Sequence, residues 1–428
     1  MTLLAQPLKL ACGATLPNRI AKTAMTEGLS DPRLFATERH NHLYRQWSEG
    51  GAGLLITGNV MIDNRVLERP GNVAIDPVAK FRPGFEGYER LKAYAAAGTV
   101  AGNHLWMQIS HAGRQSPWYV AKEPLAPSAV KLDLLGNYKR PRALREDEIL
   151  DFIQRIAKVA RVARETGFTG AQIHSAHGYL LSSFLSPVTN TRTDAWGGSL
   201  ANRARFLIES IRATRQLVGP DFPLAIKLNS DDFRRGGFTF EDCLELVQLL
   251  NAETLDLIEI SGGTYEQPKL LGADGRAEDA VPLKQSTAKR EAYFLEYAKA
   301  IRAVAAMPIL MPGGFRNRAG MEAALASGDI DVIGLARPLC TMPDLPKKLI
   351  AGSIDEAPAH ERTMATRSKG FVTKLVNLLG QMGWYYAHIE DLADGKPLKM
   401  NRGVFAAFLR YLKNEYGTAL RLQRSQGG

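Results

Sequence analysis

The sequence has few cysteines, no long apolar run and no low-complexity tract. Its 428 residues include three scattered cysteines, Cys12, Cys243 and Cys340. Such a set excludes a disulfide framework and a CxxC metal site, and it is typical of a reducing compartment. No stretch approaches the roughly 18 uncharged apolar residues of a membrane-spanning helix. The N-terminus lacks the basic start and apolar stretch of a signal peptide, so we expect a cytoplasmic protein without a membrane span.

The chain also lacks basic blocks, although its net charge is positive. It has 54 Lys and Arg against 44 Asp and Glu, a net charge of +10. Residues 361–428 contribute 11 basic and 5 acidic side chains, which is +6, and residues 1–360 contribute the remaining +4. This distribution favours a solvated surface over a nucleic-acid footprint, so we expect no nucleic-acid partner.

Short apolar, β-branched runs alternate with segments of helical periodicity. Glu148–Thr166 and Ser199–Val218 each place apolar residues on one helix face, and Ser199 is a natural N-cap. Eight strand–helix units in about 320 residues predict a closed (β/α)8 TIM barrel. A doubly wound sheet is the alternative, but no GxGxxG follows a strand. The predicted strands are Arg19–Thr26, Gly53–Thr57, His104–Ile109, Gly170–His174, Leu224–Leu228, Leu255–Ile260, Pro308–Met311 and Asp331–Leu335.

Two segments depart from this alternation. The connections Gly113–Arg145 and Thr264–Arg290 are long enough to be lids or binding segments on the catalytic face. Residues 361–428 show helix-like patches and an aromatic cluster but no further strand–helix unit. We therefore divide the chain into a barrel of residues 1–360 and a mostly helical C-terminal extension of residues 361–428. The extension is expected to pack on the barrel or on a partner subunit, and its role is open.

The end of the fourth predicted strand carries the densest set of chemical groups. His174, His177 and Tyr179 fall within six residues, and Gly178 permits a tight turn between them. Two imidazoles at the mouth of a barrel can polarise one oxygen, and a neighbouring phenol can deliver a proton to carbon. The alternative is that the histidines cap a helix or satisfy buried backbone groups. A zinc site lacks an evident third ligand, so we expect no metal.

The last two predicted strands end in residues suited to a phosphate. Gly313 and Gly314 follow the seventh strand, and Ala336 and Arg337 follow the eighth. Barrels often bind phosphate with the loops after these two strands. Glycines let backbone N–H groups approach, and an arginine can form a bidentate contact with the oxygens.

Gln108 and Lys227 place polar side chains in otherwise apolar strands. Burying such groups without partners costs several kcal/mol or more. A flavin ring would supply partners, because its pyrimidine edge has donors and acceptors and gains negative charge on reduction. For Lys227 the alternative is a carboxylate inside the barrel.

Together these segments resemble the old yellow enzyme family of FMN-dependent ene-reductases, which have a (β/α)8 fold. The resemblance covers about residues 3–350, and the fourth-strand segment is its most specific part. The matching segments are LPNRIAKTAMTEG, EGGAGLLITG, QISHAGR, IHSAHGYLLSSFLSPVTNTRTDAWGGSLANRARF, MPGGFR and GLARPL.

The resemblance implies a role for each site residue. Thr26 would donate to the flavin C4=O/N5 edge, and Lys227 would lie at N1/C2=O. The implied residues are Ala24, Met25, Thr26, Gly58, Gln108 and Lys227 around the ring; Gly313, Gly314, Ala336 and Arg337 around the phosphate; His174 and His177 on the acceptor oxygen; and Tyr179 as proton donor.

The sequence departs from the family pattern at several places. Lys227 stands where arginine is common, which replaces a planar fork by a point charge. Thr26 and Gly28 stand where a bacterial branch has cysteine and tyrosine, and His177 is asparagine in some members. Some large relatives hold an iron–sulfur cluster with cysteines after the barrel. Three scattered cysteines predict none here.

The resemblance implies an NAD(P)H:flavin oxidoreductase, or ene-reductase, that works in two half-reactions. NADH or NADPH would reduce bound FMN, and the enzyme would then reduce the C=C bond of a small enone, enal or nitro acceptor. One rival is an FMN barrel acting on RNA, like the dihydrouridine synthases, which would need a general-acid cysteine on a loop. The other is a non-catalytic flavin-binding scaffold. A homo-oligomer is compatible with each of these.

Overall fold

The protein is described here from a computed structural model that covers residues 2–266, 296–312, 314–362, 364 and 371–423. Of the predicted long loop Thr264–Arg290, only the first three residues are described. Within these ranges, none of the helices combines the length and the hydropathy that crossing a membrane requires.

Eight parallel strands close into a barrel, which confirms the predicted fold. Neighbouring strands pair in the order β3, β4, β6, β9, β10, β11, β12 and β13, and β13 pairs again with β3. In β4, β9, β10 and β11 every residue is buried, as expected for parallel strands covered on both faces. The strands are β1 (Leu8–Lys9), β2 (Thr15–Leu16), β3 (Ile20–Lys22), β4 (Leu54–Met61), β5 (Val73–Ala74), β6 (His104–Ser110), β7 (Leu125–Ala126), β8 (Arg142–Ala143), β9 (Gly170–Ser175), β10 (Leu224–Asn229), β11 (Leu257–Ser261), β12 (Ile309–Pro312) and β13 (Val332–Leu335).

Helices between the strands cover the outside of the barrel. Ser199 caps α5 by accepting from the backbone N–H of Asn202, as the sequence predicts. The buried face of α3 includes Ile149, Phe152 and Ile156, which matches the predicted apolar stripe. The helices are α1 (Glu38–Glu49), α2 (Glu86–Ala97), α3 (Glu146–Glu165), α4 (Leu180–Leu185), α5 (Leu200–Val218), α6 (Phe240–Leu250), α7 (described over 296–302), α8 (Arg318–Ala326), α9 (Leu345–Ala351), α10 (Phe371–Ala393) and α11 (Val404–Arg421).

The C-terminal extension forms a helical hairpin of α10 and α11. Gly380 permits their close approach, because a Cβ there would lie 2.5 Å from a side-chain carbon of Val404. Both helices are longer than the helix-like patches visible in the sequence.

The hairpin packs on the barrel beside the loops that follow β3 and β4. Arg69, in the loop after β4, forms an ion pair with Glu415 of α11 and lies over the ring of Tyr386 at 4.0 Å. Arg39 on α1 pairs with Asp394 at 2.6 Å. The extension therefore covers part of the rim formed by the carboxyl ends of the strands.

The ion pair between Arg69 and Glu415 is expected to hold the extension in place. Both side chains are buried, with 9% and 2% of their surfaces exposed. Glu415→Gln leaves the Arg69 charge buried without a carboxylate, so we expect the free energy of unfolding to fall by about 3 kcal/mol. Urea denaturation measures this loss.

Lys396→Met is the matched control, because it breaks an ion pair with Asp394 in which the lysine is 63% exposed. That change should cost less than about 1 kcal/mol. Equal losses in the two variants would show that the buried pair contributes no more than an exposed one.

Candidate active site

The barrel brings His174, His177 and Tyr179 together at the carboxyl end of β9. His174 is the fifth residue of this six-residue strand, and His177 and Tyr179 lie in the turn before α4. The ring centre of His174 lies 5.3 Å from that of His177 and 4.8 Å from that of Tyr179. The three rings therefore share one position on the rim.

Local hydrogen bonds fix the two imidazoles. The Nδ1 atom of His174 accepts from the backbone N–H of Ala176 at 3.2 Å, so the ring proton resides on Nε2. His177 has a left-handed backbone (φ 63°), and its N–H donates to the side-chain oxygen of Asn229 at 3.0 Å. Its Nε2 lies 2.7 Å from the hydroxyl oxygen of Ser261, which leaves Nδ1 for another partner. Each ring thus keeps one nitrogen for a ligand.

Burial sets the protonation states of this cluster. Burial lowers the pKa of His174 well below 6.5, and the neighbouring His177 and Lys227 lower it further. Burial and Lys227 do the same to the pKa of His177. Burial raises the pKa of Tyr179 well above 10, and Glu68 and Tyr265 add to the shift. At neutral pH the cluster therefore offers two neutral imidazoles and a protonated phenol.

A chain of buried side chains crosses the barrel interior below this cluster. Gln108 donates to Gln172 at 2.7 Å, Gln172 donates to Glu259 at 2.8 Å, and Glu259 pairs with Lys227 at 2.8 Å. The carboxylate partner that the sequence left as an alternative for Lys227 is therefore present. The arrangement still leaves an acceptor on Gln108 and two N–H donors on Lys227 for a further group.

A second buried network links the end of β3 to the middle of β4. Glu27 accepts from the backbone N–H of Gly58 at 2.9 Å and from the hydroxyl of Tyr44. Lys22 donates to Tyr44 at 3.0 Å and to the carbonyl of Ile56 at 2.7 Å, and burial lowers the pKa of Lys22 to about 8. The network fixes the backbone of Gly58. Sequence reasoning missed this network, because Lys22, Glu27 and Tyr44 are separated in the sequence and come together only in the folded barrel.

Ala24, Met25 and Thr26, to which the resemblance assigns the flavin ring, follow β3 at the same rim. The sulfur of Met25 lies 3.6 Å from the thiol of Cys340, which is buried. The hydroxyl of Thr26 donates to Glu68 at 2.6 Å. The resemblance implies that the Thr26 hydroxyl donates to the flavin edge. In this structure the carboxylate of Glu68, in the loop after β4, accepts its hydrogen bond.

The predicted phosphate residues lie after β12 and β13. Gly313 lies outside the described residues, and Gly314 has the left-handed backbone (φ 82°) typical of glycine. Ala336 precedes the 3-10 turn Arg337–Cys340. The guanidinium of Arg337 is 34% exposed and lies 3.6 Å from Glu361, the first residue of the extension.

Glu361 also binds Arg316 at 2.6 Å and the hydroxyl of Tyr385 at 2.5 Å. Burial opposes ionisation of this carboxyl, but Arg337, Tyr385 and Arg316 together lower its pKa to about 2. The extension therefore places a carboxylate and a phenol beside the predicted phosphate residues. No sequence pattern indicates this arrangement, because residues 361–428 match no known motif.

Glu68 is a further rim residue that sequence reasoning missed. Besides Thr26, it accepts from the side-chain N–H of Asn59 at 2.7 Å and from the hydroxyl of Tyr265 at 3.4 Å. Tyr265 in turn lies 2.7 Å, oxygen to oxygen, from Tyr179. The segment VLERPG carries a lone glutamate in a loop, and nothing in its spacing distinguishes it from a solvated side chain.

These donors and acceptors fit a flavin. Gln108 and Lys227 offer an acceptor and donors inside the mouth, and Gly58 presents a backbone fixed by Glu27. Arg337 and the left-handed Gly314 provide positive charge and backbone access at the other end of the rim.

The burial of the two histidines makes stability depend on pH. Because their pKa values are lower when folded than when unfolded, the unfolded state binds more protons below about pH 6.5. Stability should thus be lost as the pH falls through 6. In the double variant His174→Asn, His177→Asn, we expect the free energy of unfolding to fall less steeply as the pH falls. The slope should be smaller by up to about 1.4 kcal/mol per pH unit for each histidine. Urea unfolding from pH 7.5 to 5 measures both slopes, and identical slopes would contradict the buried, neutral state.

The sequence profile of the NADH:flavin oxidoreductase / NADH oxidase family matches residues 3–356 of the chain. The NADH-dependent flavin oxidoreductase iccE of Talaromyces variabilis is 35% identical over 413 residues, which cover 91% of this chain and 98% of that protein. The NADH-dependent flavin oxidoreductase iliE of Neonectria sp. (strain DH2) is 37% identical over 361 residues, or 81% of this chain. This chain spans 46% of the length of that second relative.

Solved structures show the same architecture. A 2-naphthoyl-CoA reductase in complex with 2-naphthoyl-CoA has a TM-score of 0.73 and 29% identity, covering 82% of this chain and 52% of that one. The old yellow enzyme homologue from Zymomonas mobilis has a TM-score of 0.67 and 25% identity, covering 83% and 94%. The match over 3–356 and the closed barrel confirm the resemblance seen in the sequence: the chain belongs to the NADH:flavin oxidoreductase / NADH oxidase family, the family of the old yellow enzymes.

Proposed function

We propose that this protein is an FMN-dependent oxidoreductase that uses NADH or NADPH to reduce the C=C bond of small α,β-unsaturated carbonyl or nitro compounds. The observation that carries the proposal is the convergence of His174, His177 and Tyr179 on one position of the rim. Two neutral N–H donors and a protonated phenol match the needs of such a reduction, because one oxygen gains negative charge while a carbon gains a proton. Family membership supports the flavin and the nicotinamide donor.

FMN would be held by the residues named for it above. Gln108 and Lys227 would bind the pyrimidine edge, and the Lys227 charge would favour negative charge at N1/C2=O. When bound, FMN supplies the transfer of hydride from NAD(P)H to the acceptor. The full set is Ala24, Met25, Thr26, Gly58, Gln108 and Lys227 at the ring and Gly313, Gly314, Ala336 and Arg337 at the phosphate.

The chain's own residues then act on the acceptor. The Nε2–H of His174 and the Nδ1 side of His177 would bind the carbonyl or nitro oxygen and stabilise its charge as the enolate or nitronate forms. Tyr179 would deliver a proton to Cα. Neutral imidazoles suit this role, since each can donate one N–H without a protonation change between pH 6 and 8, His177 in the tautomer in which its Nε2 accepts from the Ser261 hydroxyl.

We assign this chemistry to the barrel, residues 1–360, and treat residues 361–428 as an extension that closes part of the rim. The contacts of Glu361 and Tyr385 beside Arg337 support a role for the extension in shaping the phosphate end. The rival function, an FMN barrel that acts on RNA, needs a general-acid cysteine on a loop. Cys340 does not favour it, because its thiol is buried and burial raises its pKa to about 12.

Tyr179→Phe tests the proton donor. The variant should slow alkene reduction by about a hundredfold or more, because general acid catalysis to carbon is lost. Reduction of the flavin by NAD(P)H needs no proton from Tyr179 and should keep its wild-type rate, which makes it the internal control. Stopped-flow traces of the two half-reactions measure both rates. Equal slowing of the two would contradict the assigned role.

Ligand binding tests the histidines separately. Wild-type holoenzyme should bind a phenolate over the flavin and show a long-wavelength charge-transfer band. The double variant His174→Ala, His177→Ala should lose this band while retaining its FMN, because the phenolate oxygen loses both donors. Absorbance titration with p-hydroxybenzaldehyde gives the result, and an undiminished band would sink the oxygen-binding assignment.

A further inference from the structure

Tyr179 is one end of a hydrogen-bonded chain that leaves the catalytic cluster. Its hydroxyl oxygen lies 2.7 Å from that of Tyr265, and the Tyr265 hydroxyl donates to Glu68 at 3.4 Å. Tyr179 is 4% exposed, whereas Glu68 is only half-buried. These hydrogen bonds therefore run from the buried phenol of Tyr179 to the partly exposed carboxylate of Glu68.

Further contacts hold the side chain of Glu68 and the segment that carries Tyr265. Glu68 also accepts from Thr26 at 2.6 Å and from Asn59 at 2.7 Å. Tyr265 is followed by Glu266, which pairs with Arg114 at 2.5 Å and with Arg234 at 2.7 Å. These ion pairs tie the segment after β11, which carries Tyr265, to the loops after β6 and β10.

The proposed reaction creates a need for such a chain. When Tyr179 gives its proton to Cα, its oxygen is left as a phenolate in a buried site. The pKa of Tyr179 is already raised by burial and by the nearby charge of Glu68, so this phenolate is costly and must regain a proton before the next cycle. Each cycle consumes one proton from solvent, and the structure has to supply a route for it.

We propose that Tyr265 and Glu68 form a proton relay that returns a solvent proton to Tyr179 after each reduction, an inference that rests on the proposed function of Tyr179. Tyr265 gives its hydroxyl proton to the Tyr179 oxygen. The Glu68 carboxylate takes up a proton from water and passes it to the Tyr265 oxygen. One proton enters from solvent and one leaves on Cα, so the chain ends each cycle unchanged.

Two variants interrupt the chain at different points. Tyr265→Phe removes the middle hydroxyl, and Glu68→Gln keeps the shape of the side chain but removes the carboxyl group. Glu68→Asp keeps an acid at the outer end and is the conservative variant. Tyr119→Phe is the matched control, because it removes a hydroxyl on the same face that contacts Glu415 and not the chain.

The test compares two signals in one stopped-flow experiment. Anaerobically reduced holoenzyme in weak buffer is mixed with cyclohexenone, and flavin absorbance and a pH-indicator dye are followed together. In the wild type and in Tyr119→Phe, we expect proton uptake from solvent to follow flavin reoxidation without a lag. In Tyr265→Phe and Glu68→Gln, proton uptake should be about tenfold or more slower than flavin reoxidation. Added imidazole should shorten this lag. Glu68→Asp should show a smaller lag.

The outcomes separate the relay from the proposed function. Proton uptake without a lag in both Tyr265→Phe and Glu68→Gln would overturn the relay. A lag that added imidazole does not shorten would also overturn it, because a merely structural defect is not rescued by an external proton donor. If Tyr179→Phe reduces cyclohexenone as fast as the wild type, Tyr179 is not the donor, and the proposed function fails instead.

Discussion

The closure of the parallel barrel is the constraint on which the site depends. Pairing of β13 with β3, and of β3 with β4, brings the carboxyl ends of all eight strands to one rim. Residues that are far apart in sequence become neighbours there, as Lys227 does beside His174 through the register of β10 and β9. In barrels this rim carries the chemistry, and the opposite rim carries stability.

Closure also places polar side chains in the barrel interior, among them two lysines that have partners. Lys227 is bound by Glu259, and Lys22 is bound by the Tyr44 hydroxyl and the Ile56 carbonyl. Because an unpaired buried charge costs several kcal/mol, these pairs must form wherever the barrel forms. The same pairs hold the groups that we assign to the flavin, so the stability of the mouth and the binding of the cofactor rest on shared contacts.

The extension completes the rim from outside the barrel. Two consecutive residues of the loop after β4 face in different directions: Glu68 joins the hydrogen bonds around Tyr179, and Arg69 joins Glu415 and Tyr386 of the extension. At the other end, Glu361 and Tyr385 lie beside Arg337. The helical hairpin is therefore connected to both ends of the candidate site, through the buried Arg69–Glu415 pair at one end and through the Tyr385–Glu361 hydrogen bond at the other.

Much of this could be predicted from periodicity and local motifs. The eight barrel strands, the cap at Ser199 and the grouping of His174, His177 and Tyr179 follow from short-range patterns that survive folding. Glu68 and Tyr265 could not be predicted, because their partners lie on other loops and a lone glutamate or tyrosine in a loop is usually solvated. The position of the extension could not be predicted either, because a buried ion pair such as Arg69–Glu415, between residues 346 positions apart, leaves no pattern in the sequence.

The proposed function requires that the barrel mouth hold FMN and pass reducing equivalents from NAD(P)H to an electron-poor alkene. An absorbance spectrum of the purified protein, followed by anaerobic titration with NADH or NADPH and then by cyclohexenone, tests it most directly. We expect an oxidised flavin spectrum that bleaches when the nicotinamide is added and returns when the enone is added. A protein without flavin absorbance, or a bleached flavin that the enone does not reoxidise, would contradict it.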